Sequence, residues 1–177
     1  MSNFISYSSK TLLVFIIYLS FLYTGCQQVN NNSVTEKQAK TILDGYVKFR
    51  NTGDTLSANK VFQPDCIVRY PNIPGPLHGL DALKRYDKAT RKSFPDFKIT
   101  IDDCFIKDNK IISKWTVNAT NTGILGNLPP TNKKIHISGI AISKIVDGKI
   151  AEDDAYFNTL DMIGQLGFTV IPPQAQD

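Results

Sequence analysis

The order of the expected elements predicts an α+β fold, with helices first and then antiparallel strands interrupted by one helix. Two observations support this prediction. Apolar residues recur at helical spacing between residues 39 and 50, whereas residues 97–107, 110–122 and 136–157 largely alternate apolar and polar. A strongly curved antiparallel sheet packed against N-terminal helices would enclose a cone-shaped interior. The inward side chains of its strands would then line a pocket.

The N-terminus has the layout of a secretory signal peptide. Residues 1–25 carry one charge, Lys10, followed by an apolar run from Leu12 to Tyr23. This run is shorter than the about 20 residues that a helix needs to span a bilayer. We therefore predict that residues 1–25 are removed on export.

A cysteine that follows this leader is the candidate lipidation site. Thr24 and Gly25 precede Cys26, an arrangement that resembles the lipobox of bacterial lipoproteins, whose cysteine is acylated. Acyl chains supply about 0.8 kcal/mol per buried methylene, so they would anchor the protein at a membrane of the cell envelope. Tyr23 stands where this motif usually has Leu, Val or Ile, and an ordinary cleaved leader is the alternative. The polar residues 26–34 are expected to be a tether.

Capping and stop signals define the helices. Thr35 and Gln38 predict a capping box at the start of the first helix, which Gly53 would end. A short second helix should run from residue 54 or 55 to about 62, and a third from Gly79 to before Pro95. Residues 160–166 should close the domain as a short amphipathic helix, with residues 168–177 as a loose tail.

Turn residues separate the expected strands. A short strand at 66–70 leads into the proline-rich loop 71–76, which lacks too many donors for helix or sheet. Two longer strands should pair across Asp108-Asn109. After a loop at 123–134, the strands at 136–146 and 149–157 should form a hairpin across Asp147-Gly148, a dipeptide typical of two-residue turns. The domain is therefore expected to cover residues 35–167.

Three acids in a row lie on the last strand. Since successive strand residues point to opposite faces, Asp153 should face one way and Glu152 and Asp154 the other. At least one carboxylate should therefore look into the interior. A carboxyl group in an apolar pocket gains the raised pKa that a general base requires. Asp153 is the better catalytic candidate, with a solvated surface acid as the alternative.

Several aromatic and polar side chains are candidates for lining the pocket, although aromatic residues at such positions more often fill a core. Alternation alone does not settle which strand face is inside. The candidates are Tyr46, Tyr70, Trp115, Asn121, His136, Tyr156 and Asn158.

Composition argues against several classes of partner. The formal net charge of +4 is mild and no basic run stands out, so we expect no nucleic acid partner. With two histidines and no CxxC or HExxH spacing, we expect no metal site. Cys66 and Cys104 could form a disulfide in an exported protein or remain as small apolar residues.

Six short stretches occur in an order that is more specific than any one of them. They are Pro95-Asp96, Trp115, Ala119–Gly123, Pro129–Thr131, Asp147–Ile150 with Glu152, and Gln165–Gly167. Together they resemble the SnoaL-like polyketide cyclases, or ester cyclases, of the nuclear transport factor two-like superfamily. The resemblance covers residues 35–167 and implies a curved antiparallel sheet closed into a cone by helices.

The resemblance also implies a chemistry and its partners. Characterised cyclases of the family close rings by an intramolecular aldol step, using a carboxylate on the last strand and no metal or organic cofactor. By this resemblance the ligand would be a small hydrophobic carbonyl compound. The outer sheet face of the superfamily often forms dimers, so a homodimer or a protein-interaction adaptor is a further expectation.

The chain departs from the family pattern at the residues that carry this chemistry. Asn121 stands where the family has His. Asp153, Asp154 and Ala155 stand where it commonly has His-Trp-Asp, and Asn158 replaces a common Asp. Asp153 shares the face of the missing acid, about 7 Å along the strand, and Asp154 replaces a bulky aromatic. Both are therefore catalytic candidates for a cyclase, with a non-catalytic ligand-binding module of the envelope as the alternative.

Overall fold

The computed structural model describes residues 33–169 and residue 171 of the 177-residue chain. The expected signal peptide, the lipidation site Cys26 and most of the tether and tail lie outside the described residues. In the described part of the chain, no helix is both long and apolar enough to cross a membrane.

The described chain contains four helices and six strands. The helices are α1 (Glu36–Thr52), α2 (Thr55–Val61), α3 (Leu80–Ser93) and α4 (Thr159–Gln165). The strands are β1 (Phe62–Arg69), β2 (Leu77–His78), β3 (Lys98–Lys107), β4 (Lys110–Thr120), β5 (Lys134–Val146) and β6 (Lys149–Phe157). The predicted elements occur in the predicted order, and most bounds differ from the prediction by one or two residues. The two-residue strand β2 was not predicted.

The predicted signals at both ends of α1 are confirmed. The Gln38 backbone N–H donates to the Thr35 hydroxyl at 3.3 Å, and the Thr35 N–H donates to the Gln38 side chain at 2.9 Å. Gly53 has a φ of 74° and its N–H donates to the Phe49 carbonyl. Because glycine adopts this left-handed conformation without steric strain, it ends the helix here.

The six strands form one sheet in the order β2-β1-β6-β5-β4-β3. The predicted α+β class with a curved, mostly antiparallel sheet is confirmed, but β1 pairs with β6 in parallel. In addition, β1 starts at Phe62 and not at Cys66. Its register shifts between Phe62 and Ile67, around Pro64, which has no N–H to give to a ladder.

Alternation along β4 and β5 separates a buried inner face from an exposed outer face. The fully buried side chains include Phe49 of α1, Phe62 of β1 and Leu83 of α3, so the helices cover the inner face of the sheet. Cys66 is buried and Cys104 exposed, and both are free. Of the two alternatives for these cysteines, the structure therefore shows unpaired thiols and not a disulfide.

Candidate functional site

The interior between the helices and the inner sheet face contains a cavity of about 750 Å³. This volume falls within the range of small-molecule sites in proteins, about 300–1,000 Å³. Most of its wall is apolar. The apolar lining includes Ile73, Phe94, Phe97, Trp115, Leu125, Ile137, Phe157 and Ile163.

Trp115 forms one side of the cavity through its packing on a glycine. Gly139 pairs with Trp115 across β4 and β5. A Cβ at Gly139 would clash with the Trp115 ring and with the Tyr156 carbonyl. Phe157 meets the Trp115 ring edge-on at a centroid distance of 5.7 Å. The lack of a side chain at residue 139 therefore allows the indole to pack closely on β5.

Arg50, in the last turn of α1, brings a cation to the cavity wall while remaining only 6% exposed. Its guanidinium carbon lies 5.6 Å from the ring centroid of Tyr70, 5.9 Å from that of Tyr86 and 5.2 Å from that of Phe97. Tyr70 and Tyr86 stack on each other at 5.0 Å. Ring faces attract cations, so this aromatic cage compensates part of the cost of burying the charge.

A buried carboxylate, Asp87 of α3, balances Arg50 from the side of the helices. Asp87 Oδ1 lies 3.2 Å from Arg50 Nη1, at an angle outside hydrogen-bond geometry, and its other oxygen pairs with Arg91. Asp87 is 1% exposed. The ion pair therefore ties α1 to α3 at the polar end of the cavity.

Asp153 faces inward, is fully buried, and lies next to this polar end without being part of the cavity wall. Its Oδ1 accepts a 2.6 Å hydrogen bond from the Ser143 hydroxyl, and its Oδ2 has no partner. Burial raises the pKa of Asp153 to about 6, although the bond from Ser143 and the charge of Arg50 oppose the rise. The carboxyl group can therefore take up and release a proton near neutral pH.

Two tyrosines, Tyr46 and Tyr70, line the cavity and lie near Asp153. Burial, and then the charge of Asp153, raise the pKa of Tyr46 to about 12. Burial also raises the pKa of Tyr70 well above its usual value. The Tyr70 hydroxyl lies near that of Tyr46 but makes no hydrogen bond of good geometry to a described residue. Both hydroxyls are therefore protonated at neutral pH and can donate hydrogen bonds to a ligand.

Three of the seven predicted pocket residues, Tyr46, Tyr70 and Trp115, line the cavity. Asp153 faces inward while Glu152 and Asp154 face outward, as the alternation of the strand predicts. On the partly exposed outer face, Asp154 forms a 2.8 Å ion pair with Arg69. The expectation of a catalytic Asp154 is therefore corrected, because its carboxylate is already paired and points away from the cavity.

His136 and Tyr156 also lie on the outer face, which corrects their expected pocket positions. His136 Nδ1 is 2.8 Å from the Asn118 side-chain oxygen, and Tyr156 is 53% exposed. Their strands alternate with buried neighbours, Ile135 and Ala155 among them. The residues that face inward are therefore the ones directly beside them.

Asn121 and Asn158 have structural positions outside the cavity wall, a second correction. The fully buried Asn121 amide donates to the Ser93 and Gly123 carbonyls, and its oxygen accepts from the Thr131 N–H and hydroxyl. Asn158 caps α4 by accepting from the Asp161 N–H at 3.0 Å. Asn121 therefore fixes both ends of loop 121–133, whose residues Leu125 and Leu128 cover the cavity.

Arg50 is the main site residue that sequence reasoning missed. It lies four residues after Tyr46, so both side chains share one face of α1. This spacing was the available signal, but a charged residue in the last turn of a helix is usually solvated. Among residues 33–169, no group of three or more His, Cys, Asp or Glu side chains could hold a metal ion.

Comparison with known proteins agrees with this architecture. Among the solved structures, TsrD from Streptomyces laurentii is 18% identical, with a TM-score of 0.68 over 76% of this chain and 98% of that one. An inferred polyketide cyclase from Acidithiobacillus ferrooxidans is 23% identical, with a TM-score of 0.66 over 76% and 97%. IdmH from Streptomyces antibioticus, also an inferred polyketide cyclase, is 20% identical, with a TM-score of 0.63 over 75% and 99%. At these identities the likeness shows the fold alone.

Comparison of the sequence with curated proteins and with family models gave two results. No curated protein matches this chain. The family described as "SnoaL-like polyketide cyclase" matches residues 40–166, which is well over half of the sequence. The chain belongs to the SnoaL-like polyketide cyclase family.

Proposed function

We propose that this protein acts on a small hydrophobic carbonyl compound, removing a proton alpha to the carbonyl in a cofactor-free, aldol-type cyclase or isomerase reaction. The observation that carries the proposal is the buried carboxyl group of Asp153, which lies next to the polar end of an apolar cavity and has a pKa of about 6. A base with a pKa near the working pH combines sufficient basicity with the correct protonation state.

In this proposal, the substrate C–H bond breaks, its proton passes to the Asp153 carboxylate, and the electron pair moves onto the carbonyl oxygen as an enolate. The unpartnered Tyr70 hydroxyl can donate a hydrogen bond to that oxygen. The enolate carbon then attacks a second carbonyl of the same molecule, and the proton on Asp153 returns to the product. The apolar wall would fold the chain so that its two reacting ends meet.

Asp153 lies behind the residues that line the cavity, so the proton must pass from the substrate to the carboxylate through an intervening group. A single water or a tyrosine hydroxyl is sufficient to connect a base with its substrate. Tyr46 is suited to this relay because it lines the cavity and lies near enough to Asp153 for the charge of the carboxylate to act on its hydroxyl. Hydrogen bonds of this kind often tighten only when the substrate is bound.

The rival proposal is a non-catalytic module that holds a hydrophobic ligand. The full burial of Asp153 and its bond to Ser143 favour this alternative, since a carboxyl group locked in the sheet can serve the fold alone. The two proposals share the cavity and differ in whether Asp153 exchanges protons with the ligand.

Deuterium exchange separates the two proposals. Proton NMR would follow exchange at the alpha carbon of ethyl 2-methylacetoacetate in D₂O, with wild type, Asp153→Asn and Asp154→Asn. The neighbouring Asp154 is the matched control, because it is an acid of the same strand on the outer face. We expect catalysed exchange with wild type and Asp154→Asn and none with Asp153→Asn. Equal exchange with all three would remove Asp153 from the mechanism.

We further propose that the protein is exported and held at the cell envelope through an acylated Cys26. The support is the sequence itself, with an apolar run followed by Thr24-Gly25-Cys26. Membrane fractions of cells that express the full chain would test this proposal. Wild type should sediment with membranes and Cys26→Ser should be released, whereas retention of Cys26→Ser would exclude the lipid as the anchor.

A homodimer through the outer sheet face is the remaining proposal on partners. Ile140 and Tyr156 are cross-strand neighbours there, and they are 44% and 53% exposed. Sedimentation equilibrium should give a dimer for wild type and a monomer for Ile140→Lys. A monomeric wild type would contradict the proposal and favour the alternative in which this face binds a different protein.

A further inference from the structure

Arg50 is the one charged side chain among the described residues that line the cavity. Aromatic rings cover the faces of its guanidinium, with Tyr70, Tyr86 and Phe97 all within 6 Å of its central carbon. The N–H donors at its edge are incompletely used, since Nε makes no hydrogen bond to any described residue and Nη1 has only the off-angle contact with Asp87 at 3.2 Å. A guanidinium that is 6% exposed and has unused N–H donors calls for an acceptor.

The protein itself neutralises this charge incompletely. Asp87 faces two guanidinium groups at once, Arg50 at 3.2 Å and Arg91 on its other oxygen. Asp153 contributes a second carboxyl group nearby, but its hydrogen bond comes from Ser143 and not from Arg50. While Asp153 is protonated, Asp87 is the one carboxylate facing both cations, so positive charge remains at the wall. The low dielectric there strengthens its attraction for an anion.

We infer that the ligand of this cavity is a hydrophobic carboxylate, whose acid group binds the edge of Arg50 and whose hydrocarbon part lies against the apolar wall. The inference rests on the proposed function and narrows its substrate to a carbonyl compound that also carries an acid. Carboxylates match the planar fork of a guanidinium and form charge-assisted hydrogen bonds with it. Trp115, Ile137 and Phe157 supply the apolar surface for the rest of the molecule.

A matched pair of probes tests this inference. Isothermal titration calorimetry would compare 1-naphthaleneacetate with 1-naphthaleneacetamide, which share the ring system and differ in charge. With the wild-type protein, we expect the acid to bind at least about tenfold more tightly than the amide, because a hydrogen bond to a charged group is stronger than one to a neutral group. Equal affinities would overturn the inference while leaving a hydrophobic cavity, and thus the proposed function, in place. Failure of both probes to bind would overturn both.

Variants assign the preference to Arg50. Arg50→Met should remove the preference for the acid, while Arg69→Met, which removes an exposed cation of the outer face, should leave it unchanged. If Arg50→Met fails to fold by circular dichroism, Asp87→Asn decides the question. It keeps Arg50 and removes its competing carboxylate, so the acid should bind several-fold more tightly. An unchanged or weaker affinity in Asp87→Asn, or a preference that survives in Arg50→Met, would overturn the inference.

Discussion

Ser143 and Asp153 lie opposite each other on β5 and β6, and the Ser143 hydroxyl donates a 2.6 Å hydrogen bond to Asp153 inside the closed interior. Both side chains are almost completely buried. A carboxyl group in this position is costly to ionise, and the serine offsets part of that cost. The pair sets the proton affinity of the one acid that faces the interior from β6.

Replacing Ser143 should raise the pKa of Asp153 further above 6. Ser143→Ala removes a hydrogen bond that favours the ionised carboxyl, so its effect should be larger where Asp153 is charged. We expect the free energy of unfolding at pH 8 to fall by about 1–3 kcal/mol, and to fall less at pH 4. Urea denaturation at both pH values measures the difference, with Ser138→Ala on the exposed face of β5 as control. An equal loss at both pH values would contradict this account.

Asp153 should also make the protein less stable as the pH rises. Its pKa increases from 3.8 to about 6 on folding, so between these values the folded state binds more protons than the unfolded state. The free energy of unfolding therefore decreases across this window, by about 3 kcal/mol in total. In Asp153→Asn this decrease should be absent from denaturation curves collected between pH 4 and 7. Parallel pH profiles for wild type and variant would show that the carboxyl titrates normally.

Asn121 should resist replacement by the histidine that is typical of the family. Asn121→His cannot reproduce an amide that donates to two carbonyls and accepts from Thr131. We expect a loss of about 1–3 kcal/mol in unfolding free energy and faster proteolysis within residues 124–130. Thermal melting and limited proteolysis measure the two effects. A variant as stable and as protease-resistant as wild type would show that the loop is held by other contacts.

A side chain at residue 139 should displace the Trp115 indole. Gly139→Ala would clash with the Trp115 ring and with the Tyr156 carbonyl, so the indole should move into the cavity and the β6 backbone should shift as well, at a cost of about 1–3 kcal/mol. Trp115 is the only tryptophan of the chain, so its fluorescence reports the displacement directly. We expect a shifted emission maximum and weaker probe binding. An unchanged emission spectrum would contradict the displacement of the indole.

Local signals were sufficient to predict most of the elements, although not β2 or the start of β1. The capping box at Thr35, the turn at Asp147-Gly148 and the period of two along β6 each depend on neighbouring residues, and each predicted its element correctly. The parallel pairing of β1 with β6 joins segments more than 80 residues apart. Nothing in either segment specifies that partner or its direction.

The site was less predictable for the same reason. The parity of β6 separated Asp153 from Glu152 and Asp154. Parity could not place Asp153, His136 or Tyr156 inside or outside, because it does not show which face of each strand is buried. The role of Arg50 depends on Asp87 and on three aromatic rings from other elements. A buried arginine becomes intelligible only when these long-range partners are known.

The pH dependence of probe exchange tests the central claim, a proton-exchanging carboxyl group beside a hollow interior, most directly. After subtraction of the uncatalysed rate, exchange of ethyl 2-methylacetoacetate would be measured between pH 4.5 and 8 with wild type and Asp153→Asn. We predict that the wild-type rate rises through a single midpoint near pH 6 and that the variant shows no such rise. A wild-type rate that does not change with pH, or the same midpoint in Asp153→Asn, would contradict the account.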